Sequence, residues 1–197
     1  MNVLSLFDGC SGGQLALQRA NIHVDNYYAS EIDKYAIKVT QANFPNTIQL
    51  GDVQVFSLKG FTFQEDIDLL MGGSPCQGFS FAGNQLNFDD ERSKLFFDFI
   101  RIRDECMPKY VLLENVRMSK KSQDVISKYM GFEPQALNSS KVSAQNRYRL
   151  YWFGRKILDP LCSGKYEQIP IPPMIDKGIT MQDILEDGYA TDEMTSN

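Results

Sequence analysis

The sequence predicts an α/β protein built on a doubly wound mixed sheet, and three observations carry that prediction. Short apolar runs alternate with helical periodicities from Val3 to Met130, the pattern of strands joined by crossover helices. A glycine-bearing turn joins the first run to the first periodicity. Two later strand candidates, Glu133–Asn138 and Leu150–Phe153, are separated only by a short polar stretch, so they are expected to add antiparallel strands at the far edge.

Each element follows from its residues. Val3-Leu4-Ser5-Leu6-Phe7 is an apolar strand stopped by Asp8-Gly9, and Gly12-Gly13 opens a helix through Leu15, Leu17 and Ala20. Val24 to Ser30 reads as a second strand ending at Glu31, and Lys34 to Asn43 has helical spacing up to the Asn43-Phe44-Pro45-Asn46 break. Ile48–Leu50, Ile67–Met71 and Tyr110–Leu113 are further strands, alternating with helices at Leu95–Cys106 and Gln123–Met130. After Gly154 the chain changes character. Ile169-Pro170-Ile171-Pro172-Pro173 is proline-restricted and extended, which predicts a linker crossing a surface. Thr180 to Leu185 is expected to form a short helix with Thr180 and Asp183 as an imperfect capping box. The domain expectation is a catalytic body over 1–158, followed at 159–197 by a linker and the start of a further region.

Composition narrows the class. The chain has 197 residues and is 43% hydrophobic, enough for one substantial core. A net charge of -5 supplies no global attraction to a polyanion, so nucleic-acid contact must come from local basic sites such as Arg92–Lys94, Arg117–Lys121 and Arg147–Lys156. Clusters of this kind are also ordinary solvated surface. Cys10, Cys76, Cys106 and Cys162 lie far apart without CxxC spacing, and His23 is the single histidine. Zinc knuckles, redox pairs, multi-histidine metal sites and Ser-His-Asp chemistry therefore lack their parts. No basic leader and no apolar run of membrane-spanning length is present, which predicts a soluble protein of the cytoplasm, or of the nucleus in a eukaryote, with no membrane partner.

Ligand chemistry is expected at the carboxyl ends of the strands. The turn Phe7-Asp8-Gly9-Cys10-Ser11-Gly12-Gly13 lets a ligand approach backbone amides and a helix N-terminus, although such a turn can be purely structural and its spacing is not the dinucleotide fingerprint. Glu31 is positioned to accept from ribose hydroxyls, and Asp52 from an adenine amino group. Either carboxylate could equally be a turn residue. Together, three consecutive strand ends favour an adenosine-containing ligand. Cys76 follows the fourth strand through Gly72-Gly73, Glu114-Asn115-Val116 ends the next, and Gln145-Asn146-Arg147-Tyr148-Arg149 adds a third polar cluster. A lone cysteine in such a loop is more often an inert small hydrophobe.

These motifs, in this order, resemble the cytosine-C5 DNA methyltransferases. The resemblance rests on Leu4-Ser5-Leu6-Phe7-Asp8-Gly9 with Gly12-Gly13, Ser30-Glu31-Ile32-Asp33, Gly51-Asp52-Val53, Gly73-Ser74-Pro75-Cys76-Gln77, Arg92-Ser93-Lys94-Leu95-Phe96-Phe97, Glu114-Asn115-Val116 and Gln145–Arg149. It covers Val3 to about Gly154. Val24-Asp25, Ala29-Ser30-Glu31 and Lys141–Ala144 are worded most like the animal de novo enzymes, and a phage or bacterial source fits equally.

The resemblance implies a Rossmann-like methyltransferase fold that uses S-adenosyl-L-methionine and releases S-adenosyl-L-homocysteine, with DNA as partner and no metal. It implies a cofactor set of Phe7, Gly9, Cys10, Ser11, Gly12, Gly13, Glu31, Ile32, Asp52, Val53, Ser74, Pro75 and Leu95. Cys76 would add to carbon 6 of cytosine, Glu114 would hold a proton at ring nitrogen 3, and Arg147 would bind the base carbonyl. Asn115, Gln145 and Arg149 complete the catalytic set, and the base must leave the duplex stack. Gln77, Ser80 and Arg92, on a loop running from Gln77 to Arg92, would contact DNA.

Members of the family normally continue into a target-recognition region and two further motifs, and only Ile179–Glu186 resembles the approach to it. A fragment, one subunit of a split enzyme needing a second chain, or a remnant without catalysis would each fit. The intact catalytic set favours the first two. Two other functions stay open on the sequence: an RNA cytosine methyltransferase on the same scaffold, and a non-enzymatic binding subunit.

Overall fold

The computed structural model describes residues 1–55, 66–75, 91–162 and 164–184, with only the backbone described at 91–94 and at Pro160. In chain order the strands and α-helices are β1 (Asn2–Leu6), α1 (Gly12–Arg19), β2 (Asn26–Ser30), α2 (Lys34–Asn43), β3 (Ile48–Gln49), β4 (Leu69–Gly72), α3 (Glu91–Cys106), β5 (Tyr110–Val116), α4 (Lys120–Met130), β6 (Gln135–Asn138), β7 (Tyr148–Lys156) and β8 (Tyr166–Gln168).

The strands form one sheet in the order β3-β2-β1-β4-β5-β7-β6, with β8 paired to the end of β7. Strands β1 to β5 run parallel, and β7 lies antiparallel to both β5 and β6. This is the doubly wound mixed sheet that the sequence predicts. The chain winds outward from β1 to β3 and then returns to β1's other side with β4. The order therefore reverses between β1 and β4, the place where open α/β sheets hold ligands beyond their strand ends.

Covering both faces of the sheet explains why all five residues of β1 are buried. Leu4, Leu6, Leu70, Val111, Leu113 and Trp152 pack with Phe96, Phe99 and Ile102 of α3 and Ile126 and Met130 of α4. On the opposite face Val3, Tyr27, Ala29, Leu69 and Met71 pack with Leu17 of α1. The fully buried Trp152 keeps its indole N–H satisfied by donating to Ser127 Oγ at 3.0 Å.

Helix ends are set locally. Asp33 caps α2 by accepting from the amides of Tyr35 and Ala36, and Ser119 caps α4 through the Ser122 amide. Gly131 closes α4 at φ 89, a left-handed position that suits glycine. At the other end of the sheet, Asp68 Oδ2 accepts the Asn2 amide at 2.8 Å and Oδ1 accepts from Lys109 Nζ at 2.6 Å, while the Tyr110 amide donates to the Asp68 carbonyl. Three central strands are thereby tied at their starts.

The late segment is more ordered than the sequence suggests. β8 forms where no element is expected, with Tyr166 buried. The proline-rich stretch forms neither helix nor strand and is held by Gln135, whose Nε2 donates to the Ile169 carbonyl and whose Oε1 accepts the Ile171 amide. The expected helix after Thr180 is a single 3-10 turn, Gln182–Ile184. Asp183 Oδ2 accepts from both Thr180 N and Thr180 Oγ1 at 2.7 Å, so the carboxylate half of the capping box forms and the threonine hydroxyl donates instead of accepting. No described helix is long and apolar enough to cross a membrane, and no three metal-ligating side chains cluster among the described residues.

Candidate functional site

A cavity of about 670 Å³ opens at the reversal point of the sheet. Its walls come from the residues after four strands: Phe7 after β1; Ser30, Glu31 and Ile32 at β2; Asp52, Val53 and Gln54 after β3; and Gly73 and Pro75 after β4, with Leu95 of α3 closing one side. Seven expected cofactor residues thus share one space: Phe7, Glu31, Ile32, Asp52, Val53, Pro75 and Leu95. Ser30, Gln54 and Gly73 are additional lining residues. Ser30 sits inside a motif noted in the sequence, but its hydroxyl bonds to the Gly51 carbonyl at 2.7 Å, and nothing in the sequence marks Gln54.

The turn between β1 and α1 carries unusual backbone. Phe7, Gly9 and Ser11 have φ of 56, 58 and 60, a region that costs non-glycine residues about 1–3 kcal/mol each. Side chains hold it there. Glu31 Oε2 accepts the Gly9 amide at 2.7 Å, and its Oε1 accepts the amides of Ile32 and Asp33 at 2.8 and 2.9 Å. A carboxylate has about four acceptor positions, and three of those on Glu31 are taken by amides of the described residues. Thr40 Oγ1 donates to the Gly9 carbonyl at 3.2 Å.

The other expected members of the turn do not line the cavity. Cys10 is exposed, Ser11 is buried, and a Cβ on Gly13 would meet Met71 Cε at 2.6 Å. Gly13 therefore allows α1 to sit against β4, while Gly12 has open space around it. Asp52 uses Oδ1 to accept the Gln54 amide at 2.9 Å, and Arg101 of α3 donates to the Val53 carbonyl at 2.7 Å, fixing that wall.

The second cluster adjoins the first at Gly73. A Cβ there would stand 3.0 Å from Glu114 Oε2, so the glycine admits the carboxylate from the neighbouring strand. Asn115, 2% exposed, donates from Nδ2 to the Ser74 carbonyl at 3.3 Å and accepts the Val116 amide at Oδ1. Ser74 is itself buried, and its Oγ has no partner among the described residues, a group that a ligand or adjoining segment would satisfy.

Arg149 Nε of β7 lies 2.8 Å from Glu114 Oε1, and Nη2 of Arg147, the residue just before β7, lies 3.5 Å from the same atom. The Arg149 contact is an ion pair without hydrogen-bond alignment at Nε, because that N–H has no aligned acceptor. Tyr151 stands opposite Glu114 in the register, and burial, followed by the Glu114 charge, raises its hydroxyl above the ordinary phenol range. Gln145 is exposed, and its backbone carbonyl accepts from Ser139 Oγ. The Arg147 amide donates to Asn138 Oδ1. Cys76, Gln77 and Ser80 lie outside the described residues, and for Arg92 only its backbone position in α3 is described.

The donor set suits a nucleoside. The volume falls within the roughly 300–1,000 Å³ range of small-molecule sites. Phe7, Ile32, Val53 and Leu95 give apolar walls, and Glu31 and Asp52 give acceptors. The cavity meets the Glu114–Asn115 cluster through Gly73-Ser74-Pro75, the residues leading directly to Cys76.

Comparison with known proteins agrees with this arrangement. The profile of the C-5 cytosine-specific DNA methylase family matches residues 1–197. The type II methyltransferase M.HpaII of Haemophilus parainfluenzae is 34% identical over 197 residues, covering 93% of this chain and 52% of the relative. M1.ScrFI of Lactococcus lactis subsp. cremoris is 43% identical over 118 residues, covering 60% of this chain and 29% of the relative. The chain thus spans about half of the first and under a third of the second.

Among solved structures, a DNA modification methyltransferase encoded in an Escherichia coli prophage matches with a TM-score of 0.70 and 28% identity, over 93% of this chain and 53% of that one. The Schizosaccharomyces pombe Dnmt2 methyltransferase shares the fold at a TM-score of 0.62 and 24% identity, over 79% and 50% of the two chains. With its sheet order, its cavity and a family match over every residue, the chain belongs to the C-5 cytosine-specific DNA methylase family.

Proposed function

We propose that this chain carries the catalytic machinery for moving a methyl group from S-adenosylmethionine to carbon 5 of cytosine in DNA, through a covalent adduct of Cys76 with a flipped base. One observation carries the reading: the cavity walled by Glu31 and Asp52 adjoins Gly73-Ser74-Pro75, which leads into Cys76 and is bonded to the Glu114–Asn115 strand end.

S-adenosylmethionine, when bound, supplies an electrophilic methyl group. Glu31 would receive a ribose hydroxyl, and Asp52 an adenine amino group, with Phe7, Ile32, Val53 and Leu95 stacking around the base. Carbon 5 of cytosine is too weak a nucleophile alone, so the Cys76 thiolate forms a bond to carbon 6 and pushes an electron pair toward ring nitrogen 3. Glu114 holds a proton at that nitrogen; carbon 5 then takes the methyl group, and loss of the carbon-5 proton to a base expels the Cys76 thiolate, breaking the sulfur–carbon 6 bond and restoring the ring. Arg147, 47% exposed on its side chain, has the reach to meet the base carbonyl, while the less exposed Arg149 keeps Glu114 oriented. Carbon 6 is closed to a thiol inside a duplex stack, so the base must be flipped. Ser80 and Arg92 would hold the flanking phosphates, with Gln77 a further DNA contact.

The test combines the chain with the segment that longer relatives carry beyond the matched region, duplex DNA and S-adenosylmethionine labelled on its methyl. Label at cytosine carbon 5 that disappears in Cys76→Ser supports the reading; label retained in that variant overturns it. An RNA arm in the same assay decides the nucleic-acid class.

A further inference from the structure

We propose that Tyr27 and Asp8 are positioning residues that hold the β1–α1 turn in its ligand-binding shape, acting through Ser11. The proposal rests on the cofactor reading given above and extends it to two residues that do not line the cavity.

The geometry is specific. Tyr27, on β2 and 3% exposed, donates its hydroxyl to Asp8 Oδ1 at 2.8 Å. Ser11, fully buried, donates its hydroxyl to Asp8 Oδ2 at 2.5 Å, and its amide donates to the Asp8 carbonyl at 3.1 Å. One carboxylate is therefore gripped by the neighbouring strand on one oxygen and by the start of α1 on the other. Both residues that flank this grip, Phe7 and Ser11, sit in the left-handed region, where a side chain persists only if its surroundings enforce the conformation.

Two separate carboxylates thus hold the turn. Glu31 takes the Gly9 amide on the ligand side, and Asp8 is held from the face of the sheet that carries Tyr27 and Met71. Tyr27 Oη also lies 3.4 Å from where a Gly13 Cβ would stand, so the same hydroxyl borders the first turn of α1. Burial, reinforced by the Asp8 charge, raises the Tyr27 hydroxyl above the ordinary phenol range, in keeping with its role as a donor to Asp8. Removing that donor leaves the part-buried Asp8 Oδ1 without its Tyr27 partner, and relaxation of the turn then moves the Phe7 wall and the Gly9 amide together.

The experiment titrates S-adenosylhomocysteine by isothermal calorimetry into the 197-residue chain, its Tyr27→Phe variant and its Ser11→Ala variant. Circular dichroism and thermal midpoints without ligand are recorded alongside. Tyr27→Phe keeps the ring and deletes only the donor, and it is expected to bind roughly tenfold more weakly, the loss of about one hydrogen bond to a charged group. Ser11→Ala is expected to weaken binding similarly, and it carries the test alone if Tyr27→Phe does not fold. Unchanged affinity in a folded variant overturns the proposal, including the case in which the midpoint falls while affinity holds, because that marks a purely structural role. If the parent chain does not bind at millimolar ligand, the cofactor reading itself fails and this inference fails with it.

Discussion

Buried Asn115 joins the end of β5 to the segment leaving β4 by donating to the Ser74 carbonyl across 3.3 Å. The same side chain accepts the Val116 amide at 2.8 Å, so one residue fixes both the strand end that carries Glu114 and the approach to Cys76. Asn115→Ala deletes both bonds and strands a buried carbonyl, at an expected cost of about 1–3 kcal/mol. Calorimetric melting should show the lower midpoint. In the methyl-transfer assay the turnover rate should fall more than the affinity for S-adenosylhomocysteine, because the cavity wall formed by Glu31 and Asp52 is untouched.

Glu31 accepts three backbone amides from two turns, a task that needs two acceptor oxygens. Glu31→Gln replaces one of them with an NH2 donor, which faces another donor whichever way the amide is turned. The turn after β1 or the turn after β2 loses its anchor. Each bond to a charged acceptor is worth about 1.5–3 kcal/mol, so S-adenosylhomocysteine binding should weaken by at least about tenfold. Titration calorimetry reads this directly, and affinity equal to the parent's would show that the turn does not depend on Glu31.

Asp68 gives the fold an acid-sensitive anchor. Burial opposes its charge, but the Lys109 ammonium at 2.6 Å, the Asn2 amide at 2.8 Å and the N-terminal charge outweigh it, and its carboxyl is held below the ordinary value. A carboxyl whose folded value is depressed adds stability above its unfolded value and loses it as pH falls through the folded one. Asp68→Asn should therefore be less stable than the parent at pH 7, with the gap narrowing once pH drops below about 3.9. Urea midpoints measured across this range check the sign: a gap that widens in acid would refute it.

Legibility differed between parts of the molecule for physical reasons. α2 was readable to the residue because Asp33 is a local cap and Asn43-Phe44-Pro45 a local stop. β5 runs on to Val116, past the expected Leu113, because its polar end is paired residue by residue with β7, from Tyr110↔Arg155 to Val116↔Arg149. Such pairing is tertiary and leaves no mark on the local pattern. β8 was hidden for the same reason, being three residues long and defined by its partner strand. In the site, the strand-end carboxylates were readable as types and positions. That Glu31 would spend most of its acceptors on backbone, and that Arg149 would lie nearer Glu114 than Arg147 does, depended on packing.

Gly154 explains why β8 can reach the sheet. A Cβ there would meet the Glu167 carbonyl at 2.8 Å and the Phe132 ring at 2.5 Å, and backbone on one side leaves little room to yield. Gly154→Ala should destabilise the chain by about 1–3 kcal/mol and push β8 outward. The Ile157 amide, which donates to the Lys165 carbonyl at 2.9 Å, is the reporter: its hydrogen exchange should accelerate well beyond that of the β1 amides.

The two arginines beside Glu114 differ in kind, and a double-mutant cycle separates them. Arg149 lies 2.8 Å from the carboxylate with 20% of its side chain exposed, and Arg147 lies 3.5 Å away with 47% exposed. Solvent screens the second pair, which should contribute no more than about 1 kcal/mol. The first is shorter and better shielded, so its coupling to Glu114 should be the larger, within the range of about 0.5–3 kcal/mol found for residues in contact. Arg149→Met, Arg147→Met, Glu114→Gln and the two doubles, each measured by urea unfolding, give both couplings. If Arg149 orients Glu114 and Arg147 is held in reserve for the base, Arg149→Met lowers both stability and methyl transfer, whereas Arg147→Met leaves stability within about 0.5 kcal/mol and lowers methyl transfer alone. Equal couplings would remove that division of labour and make the two guanidiniums interchangeable supports for one carboxylate.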